Sequence, residues 1–216
     1  MRLRKIPKAG EYIAAHKALA VVGGEHLKGQ WQQVFEEKQP LHIEIGMGKG
    51  AFINEMARRH PRINFIGIEL YDSVLLRSLE KLVAHPLPNL RLLQANAANL
   101  REVFADKEVS KIYLNFCDPW PKARHTKRRL TYVGFLNVYK EILETAGLLQ
   151  LRTDQRELFE YSLLSFNHYG MKFSDVSVNL HEKVDLNHVM TEYERKFHEL
   201  GQPIYFLEAT FPQNDN

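Results

Sequence analysis

Apolar positions change their spacing from one segment of the chain to the next. From residue 41 onward, short runs of consecutive apolar residues alternate with longer stretches in which apolar residues recur every three or four positions. The short runs are typical of buried strands, and the longer stretches are typical of amphipathic helices. This alternation predicts a mostly parallel sheet with helices on both faces.

The pattern predicts seven strands and the helices between them. The strands cover Leu41–Ile45, Asn64–Glu69, Leu90–Gln94, Lys111–Phe116, Leu148–Arg152, Phe173–Leu180 and Ile204–Phe211. The helices cover Gly50–Arg59, Ser73–Ala84, a stretch near Leu100, Tyr132–Thr145, Arg156–Tyr169 and Thr191–Leu200. We expect the last two strands to form an antiparallel edge. The fold class is therefore α/β and Rossmann-like, with a seven-stranded, mostly parallel sheet.

The length of 216 residues fits one large domain. We expect residues 41–216 to form that domain and residues 1–40 to form an N-terminal basic arm with one short helix. Cys117 is the single cysteine, so an intramolecular disulfide is excluded and no paired metal-ligand spacing is present. No apolar run approaches the roughly 18 residues of a membrane span. We expect a cytoplasmic protein without a membrane partner, as a monomer or homodimer.

Charge is informative through its distribution. The formal net charge is only +3, but basic residues concentrate in Met1–Lys8 and Lys122–Arg129. Such a run can bind phosphates, so a local anionic partner is plausible. A solvated start of a helix is the alternative for the second run.

Gly46, Gly48 and Gly50 lie between the first predicted strand and the first predicted helix. Without a Cβ, the backbone can turn tightly there and approach a ligand closely. A nucleotide-like ligand at the carboxyl ends of the strands is the favoured interpretation. The loop is ambiguous, because it also satisfies a looser dinucleotide fingerprint and because glycine turns occur without any ligand.

Two acidic residues narrow the choice of ligand. Glu69 ends the second strand, 23 residues beyond Gly46, where a carboxylate can accept hydrogen bonds from both ribose hydroxyls. Glu44 lies two residues before Gly46 and favours a sulfonium cofactor, since its charge would repel a pyrophosphate. The alternative for Glu44 is a strand-end residue turned to solvent.

The segment that follows the fourth strand carries Asp118 and Trp120 between two prolines. Prolines fix the backbone, which suits a rigid loop that holds these two side chains beside a flat ligand. Because the loop follows a strand, it lies at the same edge of the sheet as the glycine loop. The basic run Lys122–Arg129 comes directly after it.

Four motifs together resemble the TrmB family of bacterial tRNA (guanine-N7)-methyltransferases, which are class I enzymes that use S-adenosylmethionine. They are Glu44–Gly50, Gly67–Glu69, the Asp118–Lys122 loop with its basic run, and Thr191–Glu194. The resemblance covers nearly the whole chain. It implies methyl transfer from S-adenosylmethionine to N7 of a guanine in the variable loop of tRNA.

The resemblance also implies roles for individual residues. The cofactor contacts are Glu44, Gly46, Gly48, Gly50, Glu69, Asn96 and Asp118, and Asp118 is the expected catalytic residue. The substrate contacts are Lys122, Asp154, Thr191, Tyr193 and Glu194. The RNA contacts are Arg124, His125, Thr126, Lys127, Arg128 and Arg129. Asn96 departs from the family, which usually has an acid there; its carbonyl remains an acceptor for the adenine amine.

The implied chemistry needs no nucleophile, because guanine N7 has a free lone pair at neutral pH. Positioning and stabilisation of the spreading positive charge are sufficient, and Asp118 and Asp154 are the carboxylates expected to provide them. Two alternatives stay open. The glycine loop and Glu69 alone would also suit a nicotinamide-dependent oxidoreductase, and the basic run alone would suit a non-catalytic RNA-binding module.

Overall fold

A computed structural model describes residues 6–182 and 189–213, so the predicted basic residues 1–5 lie outside the described residues. The strands are β1 (Ala20–Val22), β2 (Leu41–Ile45), β3 (Asn64–Glu69), β4 (Leu90–Gln94), β5 (Val109–Asn115), β6 (Leu143–Thr153), β7 (Lys172–Ser177) and β8 (Tyr205–Thr210). The helices are α1 (Ala9–Ala15), α2 (Ala51–Arg59), α3 (Asp72–Ala84), α4 (Leu100–Val103), α5 (Val133–Ile142), α6 (Arg156–His168) and α7 (Glu192–Glu199).

All eight of these strands belong to one sheet, in the order β1-β4-β3-β2-β5-β6-β8-β7. The pairs from β1 to β6 are parallel, and β8 is antiparallel to both β6 and β7. The predicted α/β class with a mostly parallel sheet and an antiparallel edge is confirmed. The antiparallel character comes from β8 alone, which is inserted between β6 and β7.

The structure adds one strand to the seven that were predicted. β1 lies in the segment before residue 41, and Ala20 and Val22 pair with Leu92 and Gln94 of β4. Three residues are too short a run to show a strand period, so the sequence pattern did not predict β1. The segment also contains 3₁₀ helices at Glu25–Leu27 and Trp31–Val34.

Three predicted boundaries were wrong by three residues or more. The strand predicted to begin at Leu148 begins at Leu143. The helix predicted to reach Thr145 ends at Ile142, because Leu143 already pairs with Val109 across an irregular start of β6. The strand predicted to reach Leu180 ends at Ser177. Residues at element ends have mixed propensities, so neighbouring strands decide where such elements stop.

Apolar side chains cover both faces of the sheet. Ile43, Ile45 and Leu114 belong to one buried cluster, and Phe65 and Leu75 belong to another. Successive strand residues point to opposite faces, so a strand that is buried on both sides needs a nearly continuous apolar run. The sheet is therefore the middle layer of the fold.

The segment before residue 41 packs onto this core. Trp31 is fully buried, its ring stacks on Phe104, and its indole N–H donates a 2.9 Å hydrogen bond to the Val103 carbonyl oxygen. Nearer the N-terminus, Ile6 donates its backbone N–H to the Ser73 hydroxyl over 2.9 Å. The division between an arm and a main domain stays a prediction.

The parallel strands place their carboxyl ends along one edge. Glu69 and Gln94 are the last residues of β3 and β4, and Asn115 and Thr153 are the last residues of β5 and β6. Loops that leave this edge are where ligands bind in open α/β sheets. No helix among residues 6–182 and 189–213 is long and apolar enough to cross a membrane.

Candidate active site at the carboxyl edge of the sheet

The glycine loop connects β2 to α2. Gly46, Gly48 and Gly50 have φ angles of 75°, 58° and 71°, the left-handed region that residues with a Cβ rarely adopt. A Cβ at Gly46 or Gly48 would meet no atom within 4 Å, so both glycines face open space. Their backbone is accessible to a ligand.

Close packing explains why residues 50 and 67 are glycines. A Cβ at Gly50 would lie 2.0 Å from the Ser78 hydroxyl, so Gly50 allows α2 to begin close to α3. A Cβ at Gly67 would lie 2.3 Å from the sulfur of Met47. Gly67 thus lets the buried Met47 side chain of the glycine loop pack on β3, which supports the loop from below.

Glu69 ends β3 beside the glycine loop. Its carboxylate accepts a 3.2 Å hydrogen bond from the Gly48 N–H and bonds of 2.8 and 3.1 Å from the N–H groups of Leu70 and Tyr71. Burial raises the pKa of Glu69 above its usual range, and the nearby charge of Asp118 adds to this. The fixed carboxylate still has lone pairs for the hydroxyls of a ribose.

Glu44 is buried at the end of β2, with 2% of its surface exposed. The Asn115 amide donates a 2.9 Å hydrogen bond to Glu44 Oε1. Glu44 Oε2 and Asn115 Oδ1 have no hydrogen-bond partner within the described part of the chain. Burial raises the pKa of Glu44 to about 8, although Asn115 and Arg152 act in the opposite direction. A ligand with a cationic N–H donor would satisfy both oxygens.

A cleft of about 280 Å³ lies beyond Glu69, next to the end of β4. Asn96 lines it, together with Leu70 and with Val22 and Glu25 from the N-terminal segment. Asn96 is exposed, and its side-chain oxygen caps a 3₁₀ helix by accepting a 3.0 Å bond from the Ala98 N–H. One lone pair of that oxygen is left for a ligand.

Asp118 is exposed in the loop after β5. The residues two positions before and after it, Phe116 and Trp120, have φ angles of 51° and 44°. Non-glycine residues in this region are strained, and such strain often occurs at functional sites. The Trp120 ring lies 5.6 Å from the His125 ring and 4.9 Å from the Arg128 guanidinium carbon.

Most of the basic run faces outward. Residues 123–128 form a 3₁₀ helix in which Arg124, Lys127 and Arg128 are exposed, whereas His125 and Thr126 are half-buried. Lys122, just before this helix, is also exposed. These side chains are accessible to a phosphate backbone.

Arg129 differs from the rest of the run. It is only 9% exposed, and its guanidinium donates to the carbonyl oxygens of Pro119 and Trp120. Its side chain is thus directed toward the loop instead of outward. The RNA contact of Arg129 stays a prediction.

The beginning of α7 reaches the same loop from the other side. Tyr193 is 60% exposed, and its ring stacks on Phe116 with a centroid distance of 6.0 Å. Thr191 and Glu194 form a capping box, in which the Thr191 hydroxyl accepts from the Glu194 N–H over 2.9 Å. Tyr193 is thus held at the rim of the site.

Glu194 is directed into the protein. It is fully buried, caps the Thr191 N–H and lies 3.4 Å from a guanidinium nitrogen of Arg152. In this conformation its carboxylate positions α7, and its substrate contact stays a prediction. Asp154, directly after β6, is half-buried and accepts a hydrogen bond from the Gln155 side chain. Its carboxylate is partly accessible to solvent.

Acidic charge accumulates at the edge. Burial raises the pKa of the Cys117 thiol to about 12, and the charges of Glu44, Asp118 and Glu69 contribute to this increase. These three carboxylates come from the ends of three different strands. A ligand with positive charge would favour the ionised forms of these carboxyl groups. No group of three or more His, Cys, Asp or Glu side chains suitable for a metal occurs in residues 6–182 or 189–213.

The residues present fit S-adenosylmethionine. The unpartnered oxygens of Glu44 and Asn115 suit an ammonium group, the glycine loop leaves room for a closely packed ligand, and Glu69 suits a ribose. Sequence reasoning missed Asn115 and Arg152. A polar residue at the end of an apolar strand is the signal that could have indicated Asn115.

The chain is similar in fold to solved structures of methyltransferases. The 16S rRNA methyltransferase KamB aligns with a TM-score of 0.65 at 16% identity, over 86% of this chain and 94% of that one. A methyltransferase from Aquifex aeolicus, described as dependent on S-adenosylmethionine, aligns with a TM-score of 0.58 at 13% identity, over 97% and 100%. A family described as "Putative methyltransferase" matches residues 38–207. Fold and family match together define the chain as a methyltransferase.

Relatives at higher identity define the family. The tRNA (guanine-N(7)-)-methyltransferase of Geobacillus kaustophilus (strain HTA426) is 52% identical over 212 residues, 98% of each chain. That of Streptococcus mutans serotype c is 49% identical over 211 residues, 98% of this chain and 100% of the relative. The chain belongs to the tRNA (guanine-N7)-methyltransferase family.

Proposed function

We propose that this protein transfers a methyl group from S-adenosylmethionine to N7 of a guanine in the variable loop of tRNA. One observation supports this most: the glycine loop with Glu44 and Glu69 and the Asp118 loop with its exposed basic run lie along one edge of the sheet. A cationic nucleoside ligand and a polyanionic substrate therefore meet at the same place.

The cofactor is held by groups from four strand ends. Glu44 with Asn115 binds the ammonium group, and the Gly46–Gly50 backbone allows close approach of the methionine and ribose parts. Glu69 accepts from the ribose hydroxyls, and Asn96 accepts from the adenine amine in the cleft beside Leu70. When bound, the sulfonium supplies an electrophilic methyl group.

The side chains around the loop orient the acceptor base. Guanine N7 is an acceptor without a proton, so no base is needed to activate it. Asp118, exposed beside the glycine loop, stabilises the positive charge that develops on the purine. Trp120 and the exposed Tyr193 ring offer stacking faces for a base turned out of the tRNA fold. Trp120 lies two residues after Asp118, and the Tyr193 ring stacks on Phe116, two residues before Asp118, which supports this arrangement.

Asp154 and Lys122 contact the substrate, and Asp154 selects the base. The Watson–Crick edge of guanine has N–H donors, which the accessible carboxylate of Asp154 can accept, whereas adenine has a different pattern. Thr191 and Glu194 contribute through the capping box that fixes Tyr193. Arg124, His125, Thr126, Lys127 and Arg128 provide the tRNA contacts. We place the protein in the cytoplasm, as a monomer or homodimer.

The test is incubation of the purified protein with methyl-labelled S-adenosylmethionine and unmodified total tRNA, followed by nucleoside mapping. The expected product is labelled N7-methylguanosine in the variable loop. Another labelled nucleoside would contradict the proposed acceptor. Binding of NAD in preference to S-adenosylmethionine, measured by calorimetry, would favour an oxidoreductase, and tRNA binding without methyl transfer would favour an RNA-binding module.

A further inference from the structure

The loop that contains Asp118 depends on support from outside itself. Phe116 and Trp120 have left-handed backbone conformations, with φ angles of 51° and 44°. Residues with a Cβ leave such conformations unless their surroundings hold them. Pro119 and Pro121 restrict the loop but donate no backbone hydrogen bonds. The direction of the Asp118 and Trp120 side chains therefore depends on contacts from other elements.

Arg129 provides such contacts. Its Nε donates to the carbonyl oxygens of Pro119 and Trp120 over 3.0 and 3.3 Å, and its Nη2 donates to the Trp120 oxygen over 3.1 Å. The planar fork of an arginine can bind two adjacent carbonyls at once, which a lysine ammonium cannot reproduce in the same geometry. The two peptide units on either side of Trp120, which directly follow the Asp118–Pro119 bond, are thereby held by one side chain.

Arg129 is in turn held by α6. Its guanidinium carbon lies 4.3 Å from the centroid of the Tyr161 ring, within the range of a cation–π contact. Its backbone N–H bonds to the Thr126 carbonyl, so the chain turns inward directly after the 3₁₀ helix. The strained loop is thus connected to a regular element of the core.

From these contacts we propose that Arg129 is a positioning residue that fixes the Pro119–Trp120 backbone, and with it Asp118 and the Trp120 ring. It does not contact RNA, in contrast to its neighbours in the basic run. The inference rests on the proposed function for its effect on catalysis. The geometry of Arg129 itself stands independently of which reaction the site performs.

The test uses Arg129→Lys, which keeps the charge, and Arg129→Met, which removes it, with Lys127→Met as the matched control from the exposed part of the run. Three quantities are measured for each full-length variant: kcat with saturating tRNA, the dependence of tRNA affinity on salt, and quenching of tryptophan fluorescence by acrylamide. The chain has two tryptophans and Trp31 is fully buried, so changes in quenching report on Trp120. Arg156→Lys, on the exposed part of α6, is the neutral control.

For Arg129→Lys and Arg129→Met we expect a loss of kcat of at least tenfold and increased quenching. Arg129→Met also removes the charge, yet we expect it to leave the salt dependence unchanged. For Lys127→Met we expect the slope of log affinity against log salt to fall by about 0.9, the value of one lost phosphate contact on duplex nucleic acid. A slope that falls equally in Arg129→Met, or quenching equal to that of the unaltered protein, would overturn the proposal.

A second variant and two readouts that do not depend on catalysis complete the test. If Arg129→Lys does not fold, Tyr161→Leu removes the ring beneath the guanidinium and is expected to increase quenching in the same direction by a smaller amount; unchanged quenching there contradicts the proposal. Quenching and salt dependence need no methyl transfer. They decide the role of Arg129 even where the proposed reaction fails.

Discussion

The side-chain amide of Asn115 donates a 2.9 Å hydrogen bond to Glu44, and so joins the carboxyl ends of β5 and β2. One oxygen of each residue remains without a partner within the described residues. Because a buried acceptor without a donor is costly, this pair is ready for a ligand that supplies N–H groups. The pair connects the cofactor side of the site to the strand that leads into the Asp118 loop.

Cofactor binding should release a proton. The pKa of Glu44 is raised to about 8 by burial, so at pH 7 the carboxyl of the ligand-free protein is mostly protonated. Binding to a cationic ammonium favours the ionised form, and the proton leaves. Calorimetry of S-adenosylmethionine binding at pH 7 in buffers of different ionisation enthalpy should show release of close to one proton.

Protonation of Glu44 should make cofactor affinity depend on pH. Below pH 8, affinity should fall by up to about tenfold per pH unit, because the proton competes with the ligand for the Glu44 carboxylate. Glu44→Gln is the control, since an amide has no proton to release. Equal binding enthalpies in all buffers for the unaltered protein would mean that Glu44 does not ionise on binding.

Removal of the Asp118 charge should reduce the chemical step. Asp118→Asn keeps the size of the side chain but no longer stabilises positive charge on the purine, so we expect a loss of at least about a hundredfold in the single-turnover rate. Cofactor affinity should change by less than about tenfold. Asp106→Asn, an exposed acid distant in sequence from the loop, is the control. A rate for Asp118→Asn equal to that of the control would remove Asp118 from the mechanism.

The exposed basic residues should determine how salt affects tRNA binding. Replacing Arg124, Lys127 and Arg128 together by alanine removes up to three phosphate contacts, so the slope of log affinity against log salt should fall by about 2 to 3. Filter binding between roughly 50 and 200 mM salt measures this slope. An unchanged slope would make the run a solvated surface.

The buried pair of Arg152 and Glu194 should contribute strongly to stability. Breaking a buried ion pair leaves one charge without a partner, so Arg152→Met should lower the free energy of unfolding by about 3–5 kcal/mol. Arg152 is 8% exposed and Glu194 is fully buried, which makes screening by solvent small. Urea denaturation measures the change.

The double variant Arg152→Met with Glu194→Gln tests whether the two residues act as a pair. Part of the lost stability should return in the double variant, because no charge is then left alone. Strict additivity of the two single changes would show that they are not coupled. Arg156→Met breaks an exposed pair on α6 and is expected to change the stability little.

The sequence predicted those parts of the site that depend on backbone position. The positions of Gly46, Gly48 and Glu69 were predicted from strand ends and from the conformational freedom of glycine. The structure places the glycine loop in contact with Glu69 through the Gly48–Glu69 hydrogen bond. Their roles toward a cofactor stay predictions. The sheet was predicted because short, continuous apolar runs are typical of buried strands.

The direction of single side chains could not be predicted from the sequence. Arg128 and Arg129 are neighbours in the same basic run. Arg129 nevertheless turns inward and Arg128 outward, because the chain turns at the end of the 3₁₀ helix. In the sequence, Glu194 has the pattern of an exposed acid on a helix. Its burial follows from the capping box with Thr191 and from the contact with Arg152, which are three-dimensional contacts. β1 depends on pairing with β4, which is a long-range contact.

The central claim is that N7 of a tRNA guanine accepts the methyl group directly. A single-turnover assay with two synthetic tRNAs tests it, one with guanine and one with 7-deazaguanine at the variable-loop position. The two tRNAs differ only in the N7 atom, so binding should be similar. We predict methyl transfer to the first tRNA and none to the second; equal transfer to both would contradict the account.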